Sequence, residues 1–144
     1  MKRHEALAPL SREHHGSLIL AQLLKRGAPV YKGLPVNNTG KTKYAQQQFD
    51  QIIKKHFEQE EAILEIAKYC HEDIRRLAGE ITEEHKELTA LFLSLYTSID
   101  PEDTMDELGR MLEGHIRKEE RELFPLLEQY CSANLMQQIH HALH

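Results

Sequence analysis

Apolar residues recur every three or four positions along four stretches of the chain, and each row is interrupted by histidine, alone or with glutamate. The rows are Leu7, Leu10, His14, Leu18, Ala21; then Phe49, Ile53, His56, Glu60, Ile63, Ala67; then Ile74, Leu77, Ile81, His85, Leu88, Phe92, Leu95, Ile99; and last Leu108, Leu112, His115, Glu119, Leu123, Leu126, Tyr130. This is the period of a helix that turns one face to a core. The pattern predicts an all-α fold, an up-and-down four-helix bundle with a short extra helix at the C-terminus.

Local signals set the expected boundaries. Ser11 is a candidate N-cap for a first helix running to about Gly27. The Gly-, Pro- and Asn-rich segment from Gly27 to Gly40 reads as a loop, whose position over the site or away from it is open. A second helix is expected over about 41–69 and a third from near Glu72 to about Ser98, with nothing but Tyr69-Cys70-His71-Glu72 between them. Asp100 as N-cap, Pro101 at the first helical position, and Glu102 and Asp103 against the positive end of the dipole open the fourth. It is expected to reach about Tyr130, bent near Pro125. Ser132 caps the terminal helix.

Composition agrees and narrows the function. The chain has 144 residues, 40% of them hydrophobic, enough for one domain spanning 1–144. A net charge of -5, with Lys and Arg scattered among acids, excludes a basic stripe for nucleic acid. No apolar stretch is long enough to span a bilayer, and the polar N-terminus leads us to expect a cytoplasmic protein. Cys70 and Cys131 match neither a disulfide framework nor a thiolate zinc site, and are expected to serve in packing.

The ten histidines are the anomaly, and their placement carries the chemistry. A carboxylate taken out of water without a partner costs several kcal/mol, on the order of 3–5, so Glu60 and Glu119 on interior rows need a cation. No Lys or Arg lies on those rows near them, which points to a metal. In each His-x-x-x-Glu pair the two side chains stand one above the other on one face. The two pairs, His56 with Glu60 and His115 with Glu119, together with His14 and His85, can surround two ions, because a carboxylate can bridge. Imidazole and carboxylate without thiolate suit iron, manganese or zinc. Glu61 and Glu120, next to the interior glutamates, are expected to face solvent or to support a ligand from outside. His4, His71, His140 and His144 are expected to be surface residues.

The segments LSREHHGSL, HFEQEE, EEHKEL and HIRKEERELFP, in this order and spacing, resemble the hemerythrin-like family, also called the HHE cation-binding domain, from Leu10 to about Tyr130. The resemblance implies a bundle enclosing two iron ions bridged by two carboxylates and able to react reversibly with oxygen. Its implied metal ligands are His14 or His15, His56, Glu60, His85, His115 and Glu119. His14 fits the apolar row, whereas His15 stands three residues before a leucine, as in the family. The invertebrate oxygen carriers have two histidines one turn apart on the third helix. Here Ile81 takes one of those places, so one metal should have fewer protein ligands unless Glu84, Glu58 or the second residue of the His14-His15 pair fills in. These features lead us to expect a protein that binds or senses O2, NO or iron, with a di-iron enzyme acting on oxygen, peroxide or nitrogen oxides, or supporting iron-centre repair, as the alternative. A structural bundle holding zinc or no metal is a third reading.

Overall fold

The computed structural model describes residues 2–144, with no strand among the described residues. Helix α1 is Ala8–Leu24 and α3 is Glu72–Ser94. Helix α2 covers residues 38–67 and α4 residues 101–130, each continuous through one widened turn. Helix α5 is Ala133–Leu143. No helix among the described residues is long and apolar enough to cross a membrane.

Two apolar clusters order the bundle. One gathers Leu10 of α1, Ile63 and Leu64 of α2, Ile74 and Leu77 of α3, and Leu123 and Leu127 of α4. The other gathers Leu20 and Leu24, Phe49 and Ile53, Leu88 and Phe92, and Leu108 and Leu112. The chain passes from the first to the second on α1, back on α2, and alternates likewise on α3 and α4, so successive helices are antiparallel. Each buried Leu, Ile or Phe contributes about 2 kcal/mol, enough in sum to hold a polar layer between the clusters. Helix α5 folds back on α2 and adds Met136 and Ile139 to the first cluster.

Several boundaries differ from expectation for identifiable reasons. Helix α1 starts at Ala8, with Pro9 in its first turn, and the Ser11 hydroxyl donates to Glu120 Oε2 instead of capping. The α2–α3 boundary is made by His71, whose Nδ1 accepts from the backbone N–H of Asp73. Helix α3 ends at Ser94, so Ile99 lies outside the interior row and is fully exposed. Tyr130 is also outside it, stacked on His71 with ring centroids 3.9 Å apart. Helix α4 begins at Pro101 as expected, but the Asp100 side chain makes no capping bond. Glu102 and Asp103 instead reach Arg26. The connection between α1 and α2 therefore begins at the end of the bundle where α4 starts. Asn37 caps α2 by accepting from the N–H of Gly40.

In place of a simple bend at Pro125, α4 widens over Glu119–Leu123, where the N–H of Phe124 bonds to the carbonyl of Glu119, five residues back. Proline has no N–H to close an ordinary turn there. A like turn at Phe49–Ile53 precedes His56. Cys131 lies in the first apolar cluster with Cys70 packed against it, and their sulfurs are 3.1 Å apart.

Candidate metal centre

Between the two apolar clusters lies a buried polar layer made of His14, His56, Glu60, His85, His115 and Glu119, none more than 4% exposed. Each residue occupies the interior row of its helix at the level where the leucine pattern breaks. His15, the neighbour of His14, is exposed, so α1 brings only His14 into the layer.

The ligand-type atoms form two overlapping groups. His14, His56, Glu60 and Glu119 make one; Glu60, His85, His115 and Glu119 make the other, and within each group the atoms lie within 4.8 Å of one another. The two carboxylates are common to both. Glu60 shows this directly: Oε2 is 3.0 Å from His56 Nε2, while Oε1 is 2.9 Å from His85 Nε2. Glu119 Oε1 lies 3.1 Å from His14 Nε2 and 3.3 Å from His115 Nε2.

The electrostatics are those of a site built for cations. Burial alone would lower the pKa of His14, but hydrogen bonds to Glu119, Glu120 and Glu60 outweigh it and raise it to about 12. His56 is raised to about 10, burial being outweighed by the charge of Glu60 and a bond to Glu13. His85 is raised too, Glu60 overcoming its burial. Burial and the neighbouring Glu60 charge push Glu119 up to about 7. Burial likewise opposes the charge on Glu60, but the surrounding histidines hold its pKa well below the usual range. In a metal-free chain, protons must supply the positive charge that this layer requires. Among the described residues no lysine or arginine forms an ion pair with Glu60 or Glu119.

The outer nitrogens of the four histidines are held with equal regularity. Glu120 of α4 pairs with His14 Nδ1 at 2.5 Å, Glu13 of α1 with His56 Nδ1 at 2.8 Å, Glu61 of α2 with His85 Nδ1 at 2.8 Å, and Glu84 of α3 with His115 Nδ1 at 2.7 Å. Each helix therefore contributes one inward histidine and one glutamate that holds a histidine of a neighbouring helix, in a closed ring. An ionised carboxylate only accepts, so each Nδ1 carries a proton and each Nε2 directs its lone pair inward once its own proton is displaced. Glu84 and Glu120 are kept below the usual carboxylate range, their partial burial outweighed by bonds to His115 and His14 respectively. Lys118 also binds Glu84, and Arg3 binds Glu120.

The sequence pattern singled out the inner six residues but not this outer ring. Glu61 and Glu120, expected to face solvent or to support a ligand from outside, both make a supporting contact, with His85 and His14 respectively. Glu84 is engaged by His115 and Glu58 is exposed, so neither stands in for a histidine at Ile81. Ile81 is fully buried among apolar residues. The two groups consequently have the same composition, two histidines and two shared carboxylates. His140 and His144 stack on each other at the C-terminus and belong to neither group.

These residues fit bound metal on structural grounds. Glu60 Oε2, Glu119 Oε2 and His115 Nε2 are buried and make no hydrogen bond, the His56 imidazole 3.0 Å from Glu60 Oε2 and the Glu119 carboxylate 3.3 Å from His115 Nε2 being close but misaligned for one. His14 Nε2 and His56 Nε2 face each other at 3.1 Å, close enough for both to reach one ion once their protons are displaced. Orphaned buried donors and acceptors are rare, and a cation between them resolves all of these at once.

Fold and site together define a metal-binding helical bundle. The family model for the hemerythrin HHE cation binding domain matches residues 6–127 and again 70–144. The chain belongs to that family. The second match falls on α3, α4 and α5, and α3 and α4 repeat the histidine and glutamate arrangement of α1 and α2. No curated protein and no solved structure matches the chain.

Proposed function

We propose that the chain holds two iron ions, for which His14 and His56, His85 and His115, and the shared Glu60 and Glu119 would supply the donors, and that it uses them to bind or sense O2, NO or iron. The observation that carries this reading is the sharing of both buried carboxylates by two histidine pairs. Imidazole nitrogen and carboxylate oxygen without thiolate is a donor set that iron accepts, with manganese and zinc as substitutes. Bound iron supplies a redox-active, Lewis-acidic centre to which a diatomic molecule can coordinate. The chain's own residues bind and orient: the inner six provide donors, the outer four glutamates fix the imidazoles, and Phe57, stacked on His85 at 4.1 Å, helps exclude water.

An open surface groove of about 690 Å³ between α3 and α4, lined by Gly79, Glu84, Met111, Gly114, Lys118 and His115, borders the His115 edge of the polar layer. It favours a second reading, turnover of oxygen, peroxide or a nitrogen oxide at the same ions. Absorbance spectra of iron-loaded protein before and after air, azide or NO test both. Ligand-dependent charge-transfer bands that reverse on removal of the ligand fit binding, whereas repeated consumption of peroxide or NO fits turnover. Iron-loaded protein whose spectrum responds to none of these ligands would contradict the proposal.

A further inference from the structure

Cys70 follows α2 in the turn to α3, and Cys131 follows α4 in the turn to α5, 61 residues further along the chain. Their Sγ atoms are 3.1 Å apart, about 1 Å more than a disulfide bond. The adjoining residues hold the same two turns together a second time, since His71 stacks on Tyr130. Cys131 has extended backbone angles, φ -79° and ψ 134°, and Cys70 also lies outside a helix, so closing the gap does not require a helix to unwind.

We propose that Cys70 and Cys131 are a redox-active pair that closes to an intramolecular disulfide by exchange with a low-molecular-weight disulfide, clamping the α2–α3 turn to the α4–α5 turn. Cys70 is partly exposed and Cys131 is buried, which orders the steps. The Cys70 thiolate attacks one sulfur of the oxidant, forming a mixed disulfide and expelling one thiolate. Cys131 then gives its proton to solvent and attacks Cys70 Sγ, expelling the second thiolate and completing the bond. Two protein thiols lose two electrons and two protons; the oxidant gains the electrons and becomes two thiols. Burial, and after it the neighbouring Cys70, push the Cys131 thiol up to about 12, consistent with Cys70 reacting first. The closed loop contains all of α3 and α4, and with them His85, His115 and Glu119, so the clamp would stiffen half of the buried polar layer.

The test is incubation of the full chain with oxidised glutathione, followed by thiol counting, peptide mass mapping and thermal unfolding. The expected result is loss of both thiols, a cross-linked peptide joining Cys70 to Cys131 within one chain, and a rise in Tm of about 10 °C that dithiothreitol reverses. Cys131→Ser should stop at a glutathione adduct on Cys70. Wild-type protein that keeps both thiols, or gives only stable glutathione adducts or chain-to-chain dimers, would overturn the proposal, as would a cross-link that leaves Tm unchanged.

Discussion

His14 Nδ1 and Glu120 Oε2 meet at 2.5 Å, although 106 residues separate them in the chain. The contact fixes which nitrogen of His14 faces the buried layer, and Glu120 is itself held by Ser11 and Arg3. Glu120→Ala is expected to weaken metal binding by about 10- to 100-fold while leaving the helical content intact. Glu120→Gln keeps an acceptor for the Nδ1 proton and should recover most of the affinity. Competition with a coloured chelator measures both. Wild-type affinity in the alanine variant would remove the positioning role.

His14 and His15 offer a direct contrast. Only His14 is buried with the other inner residues; His15 faces solvent. His14→Ala should lose metal from the half-site it shares with His56, and His15→Ala should bind as the parent does, as measured by metal content after gel filtration. The reverse pattern would reassign the α1 ligand.

Glu113 predicts a pH effect away from the metals. Lys25 holds its carboxyl down at about 2, against the resistance of partial burial, with help from Arg117 and Gln22. Because the folded pKa is the lower one, its stabilising contribution is fully present above the ordinary value of 4.5 and disappears as pH falls from there toward 2. The side chain is 23% exposed, so screening limits the contribution to about 1 kcal/mol or less. Glu113→Gln should lower denaturant stability of the metal-free chain at pH 7 and converge with wild type by pH 2. A difference that persists at pH 2 would count against the α1–α4 ion pair as its source.

Gly109 of α4 packs directly against the backbone of α1. A Cβ there would lie 2.6 Å from the carbonyl oxygen of Ala21, a backbone atom that cannot move aside alone. Gly109→Ala is expected to cost about 1–3 kcal/mol, a fall in Tm of roughly 3–10 °C, despite alanine's better helix propensity. A Tm equal to or above wild type in thermal unfolding would show that the helices can separate freely at this point.

Much of this architecture was legible in the chain because burial has a period. The rows through His14, His56, His85 and His115 placed the six inner residues on interior helix faces, where the structure has them, and the unpaired charge on Glu60 and Glu119 points to a metal. The ends were harder. Ser11 has the chemistry of a cap, yet its hydroxyl is taken by Glu120 from a distant part of the chain; His71 is an unusual cap and was placed among the surface residues. Ile99 continued an apolar row that the backbone had already left. The outer carboxylates were unreadable by periodicity, since Glu13, Glu61, Glu84 and Glu120 act across helix interfaces. Their regular offsets were a usable signal: glutamate just before the histidine on α1 and α3, and five residues after it on α2 and α4. The Cys70–Cys131 contact has no such local signature, because it depends on two turns meeting at one end of the bundle.

We propose that Glu60 and Glu119 jointly hold two metal ions. Counting iron per chain by elemental analysis, after anaerobic loading and removal of excess, tests it most directly when wild type is compared with Glu60→Ala and Glu119→Ala. Two irons per wild-type chain, with both ions depleted in each variant because each carboxylate serves both half-sites, is the predicted result. Fewer than one iron in the wild type, or iron content unchanged in both variants, would contradict it.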